Sequence, residues 1–405
     1  MSKSRFSILA ALLSLLLVIL AACNGSTETS GGKDQNQGGS DGVGTIKIGV
    51  ALATSGPIAK TGQDSLAGHK EAVKEINDSG GVKVGGKNYK FEIVYYDSQG
   101  KVESATAAVE RLIEKDKVSV IIGASTSTET AAMIPIAERA KIPMITAVAA
   151  APILTDMGAK YFTSAATSTK NAIKGYVDGM KAFGYNKVAF LHFNDEWGTA
   201  SAKAVLPAFK AAGIDVVYEE AFAPTQHEFG TMLDKVVGSK PDVIFTIAQI
   251  ESTVNLIKQI REKGIKTPIR DGGGAALEEM VKLLPKDYTD KLVGGSRAGK
   301  KDGSEHQTFR ATFEKPDEVN SFHYSGRDAI YLLKDAFERA GTVTDENKIN
   351  EAIRASDFDG LMGKYKFNDK GENSIRGLTG IVLNGKISYY EADEKIPDDI
   401  LNQFK

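Results

Sequence analysis

"TIKIGVALATSGPIAKTGQDSLAGHKEAVKEINDSGG", residues 45–81, carries two apolar rhythms in succession. Its first eight residues are a short run rich in β-branched side chains, the pattern of a strand. From Thr61 onward, Leu66, Val73 and Ile76 fall on one side of a helix, and Gly80 and Gly81 stop it. The unit is strand, loop, helix. It recurs outward along the chain. "KFEIVYYD" (90–97), "VSVIIG" (118–123) and "IPMIT" (142–146) read as strands, with helices at 104–115 and 127–139 between them. The pattern resumes with a helix near 170–183, then "KVAFLH" (187–192), a helix near 198–212 and "IDVVYEE" (214–220). "DVIFTI" (242–247), a helix near 252–264 and "TPIR" (267–270) follow. Short apolar strands separated by helices of ten to fifteen residues predict parallel sheets built from βαβ units.

The alternation is too long for one comfortable sheet, so the expected fold is α/β with two Rossmann-like lobes. The tail changes pattern. "GKYKFNDKG" (363–371) and "IVLNGKISYYE" (381–391) look like paired strands, and "NGK" at 384–386 is a hairpin turn signal. Ligands of open α/β sheets bind beyond the carboxyl ends of strands. The loops that matter are therefore "ATSGPIAKTGQD", "GASTSTET", "TAVAAAP", "FNDEWG", "AQIES" and "DGGGA".

The amino-terminal residues read differently. Lys3 and Arg5 precede an apolar run from Phe6 to Leu20, the plan of a secretory signal. The run is short for a bilayer span. Cys23, the one cysteine in 405 residues, follows it in "LAAC". Residues 24–44 are polar and Gly-rich and predict a flexible tether. Removal of residues 1–22 takes Lys3 and Arg5 and no acid, so the formal charge of −2 becomes −4. A near-neutral chain with interspersed signs has no nucleic-acid footprint. The body is long enough for two domains.

The loops offer pockets without an evident nucleophile. "GASTSTET" puts hydroxyls at a helix start, where an anion is favoured; the plainer reading is that Ser125 or Ser127 caps the helix. "TAVAAAP" allows close backbone approach to a ligand or close packing of two elements. Trp197, the one tryptophan, is either a platform for a ligand or partly buried packing. "DGGGAAL" (271–277) lacks the Lys-Ser/Thr of a phosphate loop and reads as a turn, with Asp271 a cap or a ligand contact. The five histidines show no metal-ligand spacing, and no GxSxG elbow occurs. Neither metal nor cofactor is expected.

"IKIGVALATSGPIAKTGQD", "GHKEAVKEINDSGG", "YYDSQ", "VIIGASTSTET", "IPMITAVAAAPIL", "NDEWG" and "KQIREKGIKTP", in this order and spacing, resemble the branched-chain amino-acid (Leu/Ile/Val) binding family. These are extracellular receptors of ATP-binding-cassette importers with the type I periplasmic-binding-protein fold. The resemblance covers nearly all of 45–405. It implies two lobes, 45–166 with 298–375 and 168–296 with 377–405. They would be joined by crossings near 165–169, 294–299 and 374–379, and a ligand would close the cleft between them. By position, Ser127 matches a hydroxyl that holds a ligand carboxylate, and Ala149 a backbone contact. Ala150 stands where amino-acid binders have threonine. Trp197, Thr61 and Gln249 stand at or near aromatic positions. Gly273 stands where an acid pairs with the α-ammonium, and Asp271 is two residues away. These departures widen the expected ligand from a branched-chain amino acid to a small carboxylate, an aromatic acid or an amide.

"LAAC" resembles a bacterial lipoprotein signal, which implies a lipid on Cys23, cleavage before it and attachment to the outer face of the cytoplasmic membrane. The expected partners are a small-molecule ligand and a membrane permease, with the receptor a monomer. Two other readings are a sensory module signalling to a membrane receptor and a lipid-anchored hydrolase; the latter needs a nucleophile–base pair that the loops do not offer.

Overall fold

The computed structural model describes residues 43–273 and 277–404. The expected signal segment, Cys23 and the tether up to residue 42 lie outside the described residues. Gly44, expected to be tether, already opens the first strand.

Six strands make the first sheet: β1 (Gly44–Leu52), β2 (Val82–Val84), β3 (Lys87–Asp97), β4 (Val120–Gly123), β5 (Met144–Thr146) and β6 (Phe162–Ser164). Their order is β2-β3-β1-β4-β5-β6, parallel except for the β2–β3 edge. The second sheet begins with β7 (Lys187–Phe193), β8 (Asp215–Phe222), β9 (Val243–Ile247), β10 (Ile269–Asp271) and β11 (Leu292–Gly295). The chain then forms a separate small hairpin, β12 (Asp357–Asp359) with β13 (Lys364–Lys366). It returns as β14 (Thr379–Leu383) and β15 (Lys386–Tyr390), which complete the second sheet as β15-β14-β11-β10-β9-β7-β8.

β4 and β9 are wholly buried, as are β7 beyond Lys187 and β1 from Ile48 onward, as central parallel strands covered by helices must be. This agrees with their unbroken apolar composition. In each sheet the strand order reverses once, between β1 and β4 and between β7 and β9. Those reversals open the crevices in which doubly wound sheets take ligands.

The tail differs from expectation in one respect. "IVLNGKISYYE" does form a hairpin, with Asn384 and Gly385 at φ +52° and +74° as the Asn-Gly turn requires. The strand in "GKYKFNDKG", however, pairs with the preceding Asp357–Asp359 rather than with that hairpin. Its Tyr365 is drawn inward to a buried carboxylate, Asp328.

Three chain crossings lie side by side between the sheets. Thr167 Oγ1 donates to the Arg297 carbonyl at 2.7 Å. Ser296 N–H donates to Leu378 O, and Leu378 N–H to Ala298 O, both at 2.8 Å. Asn373 Nδ2 donates to Ala166 O at 2.5 Å. The contact is too close for side chains: a Cβ on Gly377 would lie 2.1 Å from the Ser296 carbonyl.

Candidate functional site

The helix Ser127–Ala140 starts at the end of β4. Its cap is Thr126, whose Oγ1 accepts the Glu129 N–H at 3.1 Å while Glu129 Oε2 accepts the Thr126 N–H at 3.0 Å. Neither serine expected as the cap fills that role. Ser125 Oγ instead accepts the Ala53 N–H at 2.9 Å, and Ser127 Oγ the Ala151 N–H at 3.1 Å. The two serines therefore tie the β4 loop to the end of β1 and to the loop that follows β5. A Thr-x-x-Glu pattern was present in the sequence and is the signal that locates the true cap.

On the facing lobe, the helix Glu196–Ala211 begins immediately after β7. Asp195 caps it by accepting the Gly198 N–H at 2.8 Å. Gly198 lies so close to the end of β7 that a Cβ would sit 2.1 Å from Phe193 O. This tight start turns Trp197 inward, leaving it 7% exposed. Its Nε1–H donates to Thr169 Oγ1 at 3.3 Å, and Thr169 shares a hydrogen bond with Ser201.

Two chambers meet at Trp197, Gly273 and Arg297. The smaller, about 20 Å³, is bordered by Thr61 and Ser125 from one lobe, Gln249 and Ile250 from the other, and the ring of Phe322. The larger, about 50 Å³, runs toward the crossings past Ala150, Thr169, Tyr176 and Arg270. A water molecule needs roughly 10–15 Å³ of such volume. Together the chambers hold the equivalent of a few waters, the bulk of it on the crossing side of Trp197.

Of the residues singled out from sequence, Thr61, Ala150, Trp197 and Gln249 border these chambers. Ser127 and Ala149 do not. They lie just behind the wall, where the Ala149 N–H donates to Thr146 Oγ1 at 3.0 Å. Asp271 is also behind the wall, fully buried at the end of β10. Its Oδ1 accepts from Thr246 Oγ1 at 3.3 Å and from the Gly273 N–H at 3.2 Å.

The chemistry of the lining comes from residues that sequence reasoning passed over. Arg270, 2% exposed, lies flat on the helix Thr169–Phe183. Only a glycine at 179 leaves room, since a Cβ there would be 2.5 Å from Nη1. Nη2 donates to Gly175 O at 3.0 Å, and the guanidinium lies 5.7 Å from the Tyr176 ring centre. Its Nε and Nη1 have no acceptor among the described residues.

Arg297 sits on the middle crossing. Nη1 donates to Val148 O at 2.5 Å, the guanidinium lies 5.1 Å from the Phe322 ring centre, and Nε has no acceptor among the described residues. Burial pushes both guanidiniums down to about 10, so both stay charged at neutral pH. The carboxylate whose field reaches both is that of Asp271. Arg376 also borders the larger chamber, with its fork closed by Asp393. Tyr176 is neutral: burial raises its hydroxyl, which donates to Gly272 O at 2.5 Å. Among the described residues, the lining of the two chambers includes Arg270 and Arg297, neither in an ion pair, and no carboxylate. The sequence signal was an arginine inside a short buried strand, "TPIR", and another in the crossing "GGSRAG".

Comparison with known proteins follows this architecture. The profile of the family described as "Periplasmic binding protein" matches residues 45–381. The Leu/Ile/Val-binding protein of Escherichia coli is 24% identical over 332 residues, spanning 81% of this chain and 88% of that protein. A branched-chain amino-acid transporter substrate-binding protein from Streptococcus pneumoniae, solved with isoleucine, superposes with a TM-score of 0.75. It is 24% identical over 87% of this chain and all of that one. A solute-binding protein from R. palustris, solved with benzoate, superposes at 0.76 with 22% identity, over 88% of this chain and 99% of that one.

Proposed function

Because the chain belongs to the periplasmic binding protein family, we propose that it captures a small organic acid or amide lacking an α-ammonium group and presents it to the permease of an ATP-binding-cassette importer. The observation that carries this reading is the described chamber lining, in which Arg270 and Arg297 have no ion-pair partner, Arg376 is paired with Asp393, and no carboxylate occurs. An ammonium in that cleft would meet like charge and find no acid on the wall, whereas a carboxylate or amide oxygen finds donors. The position where an acid would pair with an α-amino group is Gly273. The Asp271 carboxylate, two residues away, is turned onto the Gly273 N–H.

In this reading the lobes 45–166 with 298–375 and 168–296 with 377–405 close on the ligand by bending at the three crossings. Binding and closure are the whole mechanism, with no bond made or broken, and the receptor acts as a monomer. The chambers' small volume favours a ligand of few non-hydrogen atoms. Titration calorimetry with the matched pair valine and 3-methylbutanoate tests the reading: tighter binding of valine sinks it.

Attachment to the membrane rests on "LAAC". Cys23 carries the lipid, and the processed protein is held at the outer face of the cytoplasmic membrane. Cys23→Ser is expected to leave the signal uncut or release the protein. A variant that stays membrane-bound and is processed at the same place would exclude this attachment.

A further inference from the structure

We propose that Arg297 is the residue that grips the ligand's carboxylate, so that the ligand is held by one of the strands on which the lobes turn. The inference rests on the small-acid reading and narrows it from acid or amide to acid. Three observations carry it. First, Arg297 borders both chambers, whereas Arg270 borders only the larger and is pinned against the helix Thr169–Phe183. Second, the guanidinium is already oriented: Nη1 is fixed by the Val148 carbonyl, the Phe322 ring lies beside it, and Nε is left without an acceptor among the described residues. A planar fork with an unused N–H suits an oxyanion. Third, the hydroxyl offered by position for this task, Ser127, borders neither chamber and is engaged with the Ala151 N–H.

The placement has a mechanical consequence. The Arg297 carbonyl accepts from Thr167, and the residues either side of it, Ser296 and Ala298, bond to Leu378. All three crossings therefore meet at the residue that holds the ligand. An anion on Arg297 acts on the hinge itself rather than on one lobe, so an acid and its uncharged isostere should differ in how firmly they close the cleft.

The test is calorimetry of the purified receptor with 3-methylbutanoate and 3-methylbutanamide, which share a shape and differ in charge. The native protein is expected to prefer the acid by about a hundredfold, the scale of a buried charge-assisted contact. Arg297→Met should abolish that preference, and Arg297→Lys should retain part of it. If Arg297→Met does not fold, Arg297→Gln, which can still donate to Val148 O, takes its place. Preference for the acid that survives loss of the Arg297 charge overturns the inference. The two failures are distinguishable. If valine outcompetes 3-methylbutanoate, the small-acid reading itself is wrong. If 3-methylbutanoate wins but its advantage over the amide does not depend on Arg297, only the assignment of Arg297 is wrong. Failure of the native protein to bind either the acid or the amide overturns both.

Discussion

Valine is expected to bind at least about a hundredfold more weakly than 3-methylbutanoate, because the two differ by one ammonium group that this cleft cannot pair. Both ligands carry the same carboxylate and the same branched tail, so their common contacts cancel. What remains is the transfer of an ammonium from water into chambers whose described lining includes Arg270 and Arg297 and no acid. Leaving a charge unpaired in a closed site costs several kcal/mol, even after relaxation. Repulsion from two guanidiniums adds to that cost. Asp271 lowers it only in part, since its Oδ1 is already bound to Thr246 and Gly273 behind the wall. Calorimetry at neutral pH measures the difference directly. Equal affinities would mean that the ammonium stays in water at the cleft mouth.

Replacing Asp328 by alanine is expected to destabilise the fold by about 3–5 kcal/mol, the usual effect of breaking a buried charged network. Asp328 is fully buried on the helix Ser321–Ala340. Its carboxylate accepts the Leu361 and Met362 N–H groups at 2.8 and 2.7 Å and the Tyr365 hydroxyl at 3.2 Å. All three donors would be stranded without it. The effect should reach the site as well, because the Met362 carbonyl accepts the Gly299 N–H at 2.6 Å, two residues beyond Arg297. Denaturant unfolding checks the stability, and a stability loss under about 1 kcal/mol would remove Asp328 as the brace of that crossing.

The same group sets a pH dependence. Burial pushes the Asp328 carboxyl up to about 6, against the pull of its N–H donors. The folded protein therefore holds this proton more tightly than the unfolded chain does. The group's contribution to stability falls as pH rises from the ordinary carboxylate range to about 6, and is level above that. Asp328→Asn should flatten this part of the stability curve. An unchanged slope in that variant would assign it to other groups.

The strand–helix alternation, the two sheets and the Asn-Gly hairpin were legible in the sequence because each depends on residues close together in the chain. An apolar run of five to eight residues is buried on both faces wherever it lands in a parallel sheet. The loops that border the cleft were legible for the same reason, since they follow strands, and Trp197, Thr61, Ala150 and Gln249 came with them. Which atoms face the chambers was not. Ser125 and Ser127 sit in the right loop, yet their hydroxyls are taken up by Ala53 and Ala151, a choice made by the packing of β4 between β1 and β5. Arg270 looked like a strand-end residue and Arg297 like part of a linker. Only the folded lobes bring them to one pair of chambers with Ala150 and Thr169, more than a hundred residues earlier in the chain. Local pattern decides where a chain runs straight or coils. Whether a buried charge is left for a ligand depends on which distant groups arrive beside it, and that is settled by tertiary packing.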